Sequence, residues 1–231
     1  MSLNKTSRQI SVKNQAGRTE KTRTQLIQAA ESLMIEKGLE NVSVRDIVRG
    51  AGQKNESALQ YHFKNRDGLV LALQARRIEQ LDARRTALTT DALRTNPDPD
   101  LRTTCAILVQ APFLLCREDR DFRQYLGVFG QRLIASGQAV SQVLSKQRSS
   151  SLAQLYKILR RSVSQLDDEL FNLRFEAMSS LVLLSLSRRA SDGGSFRGKR
   201  AELFLSNLID LMAAILSAPV SNATDELLDS K

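Results

Sequence analysis

The apolar positions of this chain recur at three- and four-residue spacing and never settle into an alternating run, which predicts helices throughout. Leu26, Ala30, Leu33 and Met34 share one face of a first helix expected from about Thr24 to Lys37. Gly38 stops it as a left-handed cap, with Leu39 placed for the accompanying apolar contact. Ser43, with Asp46 three positions on, makes a capping-box-like start to a second helix whose buried stripe is Val44, Ile47, Val48 and Ala51. Gly52 ends that helix, Gln53 and Lys54 make the turn, and Asn55 is the expected N-cap of a third helix that buries Ala58, Leu59 and Phe63. Two short amphipathic helices joined through a glycine, behind a longer supporting helix, form a helix-turn-helix unit. A fourth helix starts near Asn65-Arg66-Asp67 and runs past Arg85 into the rest of the chain.

The clearest break is "RTNPDPD", Arg94 to Asp100, where two prolines forbid helix continuation. Beyond it "LRTTCAILVQAPFLLC" is apolar nearly all round and should be buried. "DFRQYLGVFGQRLI" follows, then an amphipathic stretch from about Ala139 to Val163. "DELFNLRFEAMSSLVLLSLSRRA" and "GKRAELFLSNLIDLMAAIL" are the closing helices, with the Gly193-Gly194 loop between them. The expected fold is all-α, with about nine helices. Its parts are a flexible basic arm over 1–20, the helix-turn-helix domain over 21–75, a larger helical domain over 76–220, and a tail over 221–231.

Composition narrows the function. The net charge of +9 predicts attraction to a polyanion, either nucleic acid or an anionic membrane surface. The arm carries Lys5, Arg8, Lys13 and Arg18 against a single acid, Glu20, but none of the apolar residues a membrane-surface helix needs. The N-terminus has no apolar core of a signal peptide. The apolar stretches around Cys105 to Cys116 and Met178 to Leu186 fall short of the roughly 20 residues that span a bilayer. Two cysteines suit a reducing compartment, so a cytoplasmic protein is expected.

The polar face of the third helix is the informative feature. Lys54, Asn55, Ser57 and Gln60 offer groups suited to phosphates and to base edges in a major groove, where a merely solvated face would be a Lys/Glu mixture. Glu56 either accepts from a cytosine amine or is a first-turn acid that favours the helix dipole. A Tyr61-His62-Phe63 run closes the helix, with Phe63 serving the core. His62 is the only histidine, and no Cys or acid lies at metal-ligand or triad spacing around it.

On "SVRDIVRGAG", "ALQYHF" and "KNRDGLV", residues 24 to 75 resemble the DNA-binding domain of the TetR family of bacterial transcriptional regulators. That resemblance implies that Ser43, Val44 and Arg45 meet a phosphate at the start of the second helix. It also implies that Tyr61, His62 and Lys64 grip the backbone beside the recognition helix, and that Lys54, Asn55, Ser57 and Gln60 contact bases or phosphates. "QKNESALQ" is one residue longer than the family's usual spacing between Ala-Gly and Tyr-His-Phe, which predicts a longer turn.

By the same resemblance the remainder houses an effector pocket and a dimer interface. Phe113, Cys116, Tyr125, Phe129 and Phe175 could line an apolar cavity or simply fill the core, and Pro112 suggests a kink that opens space. Leu181, Leu184, Phe204, Leu208, Leu211 and Ile215 lie on the two closing helices, which either meet a second subunit or pack within one. Cys105 and Cys116 are candidate redox-sensing thiols or inert buried ones. Arg188, Arg189, Arg197, Lys199 and Arg200 read as a solvated face.

The expected function is a homodimeric repressor released from a palindromic double-stranded operator by a small-molecule effector. The alternative is an architectural protein that binds nucleic acid without sequence preference. Without a nucleophile–base pair, a phosphate-cradling glycine loop or a metal cluster, neither an enzyme nor a cofactor is expected.

Overall fold

The computed structural model of the chain describes residues 3–135 and 151–229, with side chains over 17–130 and 151–228. The all-helical expectation holds: among the described residues there are helices and no strand. The α-helices are α1 (Leu3–Lys37), α2 (Val44–Gly50), α3 (Ser57–Phe63), α4 (Arg66–Thr95) and α5 (Leu101–Glu118). They continue as α6 (Arg120–Ala135), α7 (Ser151–Ser162), α8 (Asp168–Ser191), α9 (Lys199–Ser217) and α10 (Asn222–Asp229). A 3₁₀ turn at Leu39–Asn41 lies between α1 and α2.

The backbone of α1 includes the stretch read as an arm, where no proline interrupts it. The side chains of Lys5, Arg8 and Lys13 lie outside the described residues, as does the part of the expected Ala139–Val163 helix that precedes Ser151. The chain divides into two compact units, Met1–Glu79 and Gln80–Lys231, with the boundary inside α4.

In the first unit, α1 packs on α2 and α3 around Leu26, Ala30, Met34, Ile47, Leu59, Phe63, Leu69 and Leu73, all buried. Leu33 and Val44, expected in the core, are half-buried. Gly38 ends α1 at φ 86° but with an extended ψ of 148°. The chain therefore leaves α1 through a glycine-only conformation into the 3₁₀ turn, instead of the left-handed cap expected. A buried pair crosses this core: Arg77 Nε donates to Glu31 Oε1 at 2.6 Å, both side chains 8% exposed.

The second unit is built on α5, which contributes Cys105, Val109, Phe113 and Cys116 to a continuous apolar core. α6, α7 and α9 lie against α5, and α8 packs along α6 and α9. The entry to α5 follows the sequence: two prolines come after α4, then Asp100 caps the new helix by accepting from the Thr103 amide at 2.7 Å. α5 continues through Pro112 as one helix. Small residues bring α6 and α8 close together, where Ser187 Oγ donates to the Leu126 carbonyl at 3.0 Å and Ser191 Oγ to that of Gly127 at 2.8 Å.

By length and composition α8 is the one described helix apolar enough to cross a bilayer, which its separate apolar runs did not suggest. A third of that window is buried inside the protein, against the neighbouring helices. Phe171, Phe175, Met178 and Leu186 are its fully buried members.

Candidate nucleic-acid interface

The start of α2 is fixed by a reciprocal cap. The Asp46 amide donates to Ser43 Oγ at 3.1 Å, and the Ser43 amide donates back to Asp46 Oδ2 at 3.2 Å. Ser43 Oγ also donates to Asp46 Oδ2 at 2.6 Å. These bonds hold the Asp46 carboxyl below its ordinary range, the side-chain bond from Ser43 being the largest cause and the cations Lys37 and Arg49 adding to it. The hydroxyl proton of Ser43 is thereby engaged. At this end of α2 the exposed Arg45 side chain and the first helical amides, beginning with Val44, remain for a ligand.

The turn follows directly. Gly52 takes φ 67°, and its amide and that of Gln53 close on the Arg49 and Val48 carbonyls at 3.0 Å each. That positive φ is what a side chain would resist. α3 begins at Ser57 rather than at Asn55, because Asn55 does not cap it: its Oδ1 accepts the Ser57 hydroxyl. Glu56 holds the N-cap position with helical backbone angles and makes no capping bond.

α3 is anchored on one side only. Leu59 and Phe63 are buried, while Lys54, Asn55, Glu56, Ser57, Gln60 and Lys64 are exposed and Tyr61 is 77% exposed. Ala58 and His62 are half-buried at the edges. His62 stands edge-on to Tyr61 at a centroid distance of 5.0 Å. Burial, and then the nearby Arg23, hold its imidazole below the ordinary value, with Glu20 opposing; the ring is therefore neutral at physiological pH. Lys64 closes α3 at φ 68°, the one non-glycine residue among those described with a positive φ. That conformation carries a backbone cost of order 1–3 kcal/mol.

The ten residues expected at a DNA surface lie in one helix-turn-helix: Ser43 caps α2, Val44 and Arg45 open it, Lys54 and Asn55 are in the turn, Ser57, Gln60, Tyr61 and His62 are on α3, and Lys64 ends it.

Of the expected pocket residues of the second unit, Phe113, Cys116 and Phe175 belong to its continuous core. Phe113 pairs with Phe196 at 5.3 Å, Tyr125 stacks on Phe129 at 4.9 Å, and Phe175 packs with Tyr156 and Phe171. All five, Cys116 included, are buried. Burial pushes the thiols of Cys105 and Cys116 up to about 12, so neither carries appreciable thiolate near neutrality.

Of the expected interface residues, Leu208 is fully committed to the unit's own core. Leu181, Phe204 and Ile215 are half-buried against that core, and Leu184 and Leu211 are exposed. Leu173 and Leu203 are more exposed still, and periodicity did not single them out. Among the described residues no three of His, Cys, Asp or Glu gather as a metal site.

Residues 26–73 match the family model of bacterial regulatory proteins, tetR family. These residues therefore form a TetR-type DNA-binding domain. That match spans α2, α3 and the helix faces that support them. Solved structures extend the likeness to the whole fold. The fatty acid degradation regulator FadR from Bacillus halodurans aligns at 17% identity and a TM-score of 0.55, over 85% of this chain and 95% of its own. A TetR-like transcriptional regulator from Rhodococcus sp. RHA1 aligns at 14% and 0.52, over 84% and 93%. At such identities the agreement concerns architecture alone. No curated protein sequence matched the chain.

Within the TetR-type domain, sequence reading missed the residues that lock the reading helix in place. Arg66, the first residue of α4, donates from Nε to the Val42 carbonyl at 3.2 Å and from Nη2 to that of Leu39. Gly68 lies so close to the end of α3 that an added Cβ would stand 2.0 Å from the Phe63 carbonyl oxygen. Arg23 covers the Phe63 ring at 5.6 Å. The "KNRDGLV" segment contained two of these three residues, but only the folded chain shows which carbonyls they address.

Proposed function

We propose that this DNA-binding regulator is a homodimeric repressor that a small-molecule effector releases from a palindromic operator. The observation that carries the reading is the one-sided anchoring of α3. Its apolar edge is spent on the core, and its outward edge presents Lys54, Asn55, Ser57, Gln60 and Tyr61 with no protein surface to satisfy. On this reading Lys54, Asn55, Ser57 and Gln60 face base edges and phosphates, while Tyr61, His62, Lys64, Arg45 and the start of α2 at Ser43 and Val44 clasp the backbone. The basic residues of the N-terminal stretch follow the phosphates.

Dimerisation is supported by the apolar side chains that α8 and α9 leave uncovered, Leu173 and Leu184 on one and Leu203 and Leu211 on the other. Two reading helices about 34 Å apart meet successive major grooves of a palindrome. An effector that prefers one arrangement of the dimer shifts the population on DNA. Such a regulator works in the cytoplasm.

Selection of the purified protein on random-sequence duplexes at near-physiological salt tests this reading. Enrichment of one inverted repeat is the expected outcome. Retention of DNA with no enriched sequence would replace the repressor with a non-specific architectural protein.

A further inference from the structure

Arg85 is the one buried charged residue among those described in the second unit, 9% exposed on the inner side of α4. Its guanidinium is poorly satisfied. Its Nε has no hydrogen-bond partner, and its ion pair is with Asp82, whose Oδ1 lies 3.7 Å from Nη1 and out of hydrogen-bond range. That same Oδ1 already accepts from Ser151, from Oγ at 2.6 Å and from the amide at 3.2 Å. The nearby buried hydroxyl of Thr89 is spent as well, donating to the Arg85 carbonyl at 2.8 Å. Desolvation pulls the guanidinium down to about 10, with Asp82 opposing. A buried cation left with an unsatisfied donor is costly, and such a group calls for a partner that completes it.

We propose that Arg85 anchors the carboxylate of an organic monoanion with an apolar body, and that this anion is the effector; the second clause rests on the effector-released regulator proposed above. A planar guanidinium takes a carboxylate through two parallel N–H···O bonds, and the unpartnered Nε is half of the fork that does so. Arg85 is the one buried cation among the described residues of the unit and Asp82 at 3.7 Å already offsets part of its charge, so a monoanion is accommodated where a phosphate dianion is not. Leu81 and Leu88, one turn to either side on the same helix, pack on the apolar core, so the surroundings of the anchor are apolar and match a hydrocarbon or aromatic body.

The test uses the full-length protein and a panel of straight-chain carboxylates from acetate to dodecanoate, with benzoate and phenylacetate. Each is paired with its primary amide, and octyl phosphate is included. Binding is read by calorimetry and by the shift in melting temperature. At least one carboxylate is expected to bind about tenfold or more tighter than its amide, a preference that Arg85→Met abolishes and Arg85→Lys keeps in part. Because the carboxylate–amide comparison needs no variant, a poorly folding substitution does not disable the test.

Equal binding of carboxylates and amides, no binding across the panel, tighter binding of octyl phosphate, or an unchanged preference in Arg85→Met would each overturn the anchor. Release of the selected duplex separates the two readings. Carboxylates that bind through Arg85 without releasing DNA sink the effector role and leave the site. Release by amides and carboxylates alike keeps the effector reading and removes the anchor.

Discussion

One helix carries two buried arginines in opposite situations. Arg77, in the DNA-binding unit, meets Glu31 at 2.6 Å inside a closed core. Arg85, two turns further along α4 in the second unit, has an unpartnered Nε and an acid that Ser151 already holds. Burial is comparable, so the contrast comes from the partners the chain supplies. The first unit completes its own polar interior, as a rigid reading head must. The second leaves one cation for something else to complete. A buried pair is costly to break from one side and cheap to replace as a whole, whereas a cation whose acid stands 3.7 Å away costs less to remove.

Substitution at the two positions should give opposite signs. Arg77→Met strands Glu31 and is expected to destabilise the first unit by about 3–5 kcal/mol in urea unfolding, with much of the loss recovered when Glu31→Leu is added. Arg85→Met should leave stability unchanged or raise it. A loss at position 85 as large as that at 77 would erase the contrast.

Within the first unit, the tightness of the α3–α4 joint offers the next largest effect. Gly68→Ala pushes a methyl group onto the Phe63 carbonyl, and about 3 kcal/mol of stability should be lost. The melting transition of the second unit, where resolved separately, should not move.

Lys64→Gly separates stability from function more finely. Removing a side chain from a positive-φ position should stabilise the unit by about 1 kcal/mol. Loss of the ammonium should nevertheless weaken operator binding and flatten its salt dependence by about one phosphate contact. A variant that gains stability and keeps its full affinity would remove Lys64 from the interface.

The smallest effect concerns pH. Asp46 titrates lower in the folded chain than its ordinary value of 3.8, so the capping box contributes its full stability above that value. The contribution fades as pH falls through the lower, folded-state titration. Comparing unfolding of the parent and Asp46→Asn between neutral pH and pH 3 should show the gap between them closing only in acid. A gap that stayed constant would mean that the carboxylate charge plays no part in the cap.

How much of this was legible in the sequence depends on the range of the interaction. The Ser43–Asp46 cap, the Gly52 turn, the proline break and the buried edge of α3 are set within a few residues, and a periodic reading finds them. Asn55 failed as an N-cap because its side chain had a nearer choice, the Ser57 hydroxyl. Glu31 and Arg77 lie on separate helices, and neither sequence neighbourhood marks one as the other's partner.

The closing helices show the same boundary. Spacing places Leu208 and Leu211 on an apolar surface, but it does not say which of them the chain's own core will claim. An apolar stripe wider than one contact is ambiguous until its neighbours are known. That is why Leu173 and Leu203 emerge only from the folded structure.

Arg66 and Gly68 have a mechanical consequence. Arg66 grips two carbonyls of the loop before α2, and Gly68 sits against the last carbonyl of α3. Three points of support around one helical turn leave no pivot there, so α2, α3 and the foot of α4 move as one solid body. Such a head cannot adjust to an imperfect half-site by swinging one helix; it engages whole or lifts off whole. In the homodimer proposed above, discrimination between operators would then fall to the length of DNA between half-sites, measured in steps of a full helical turn.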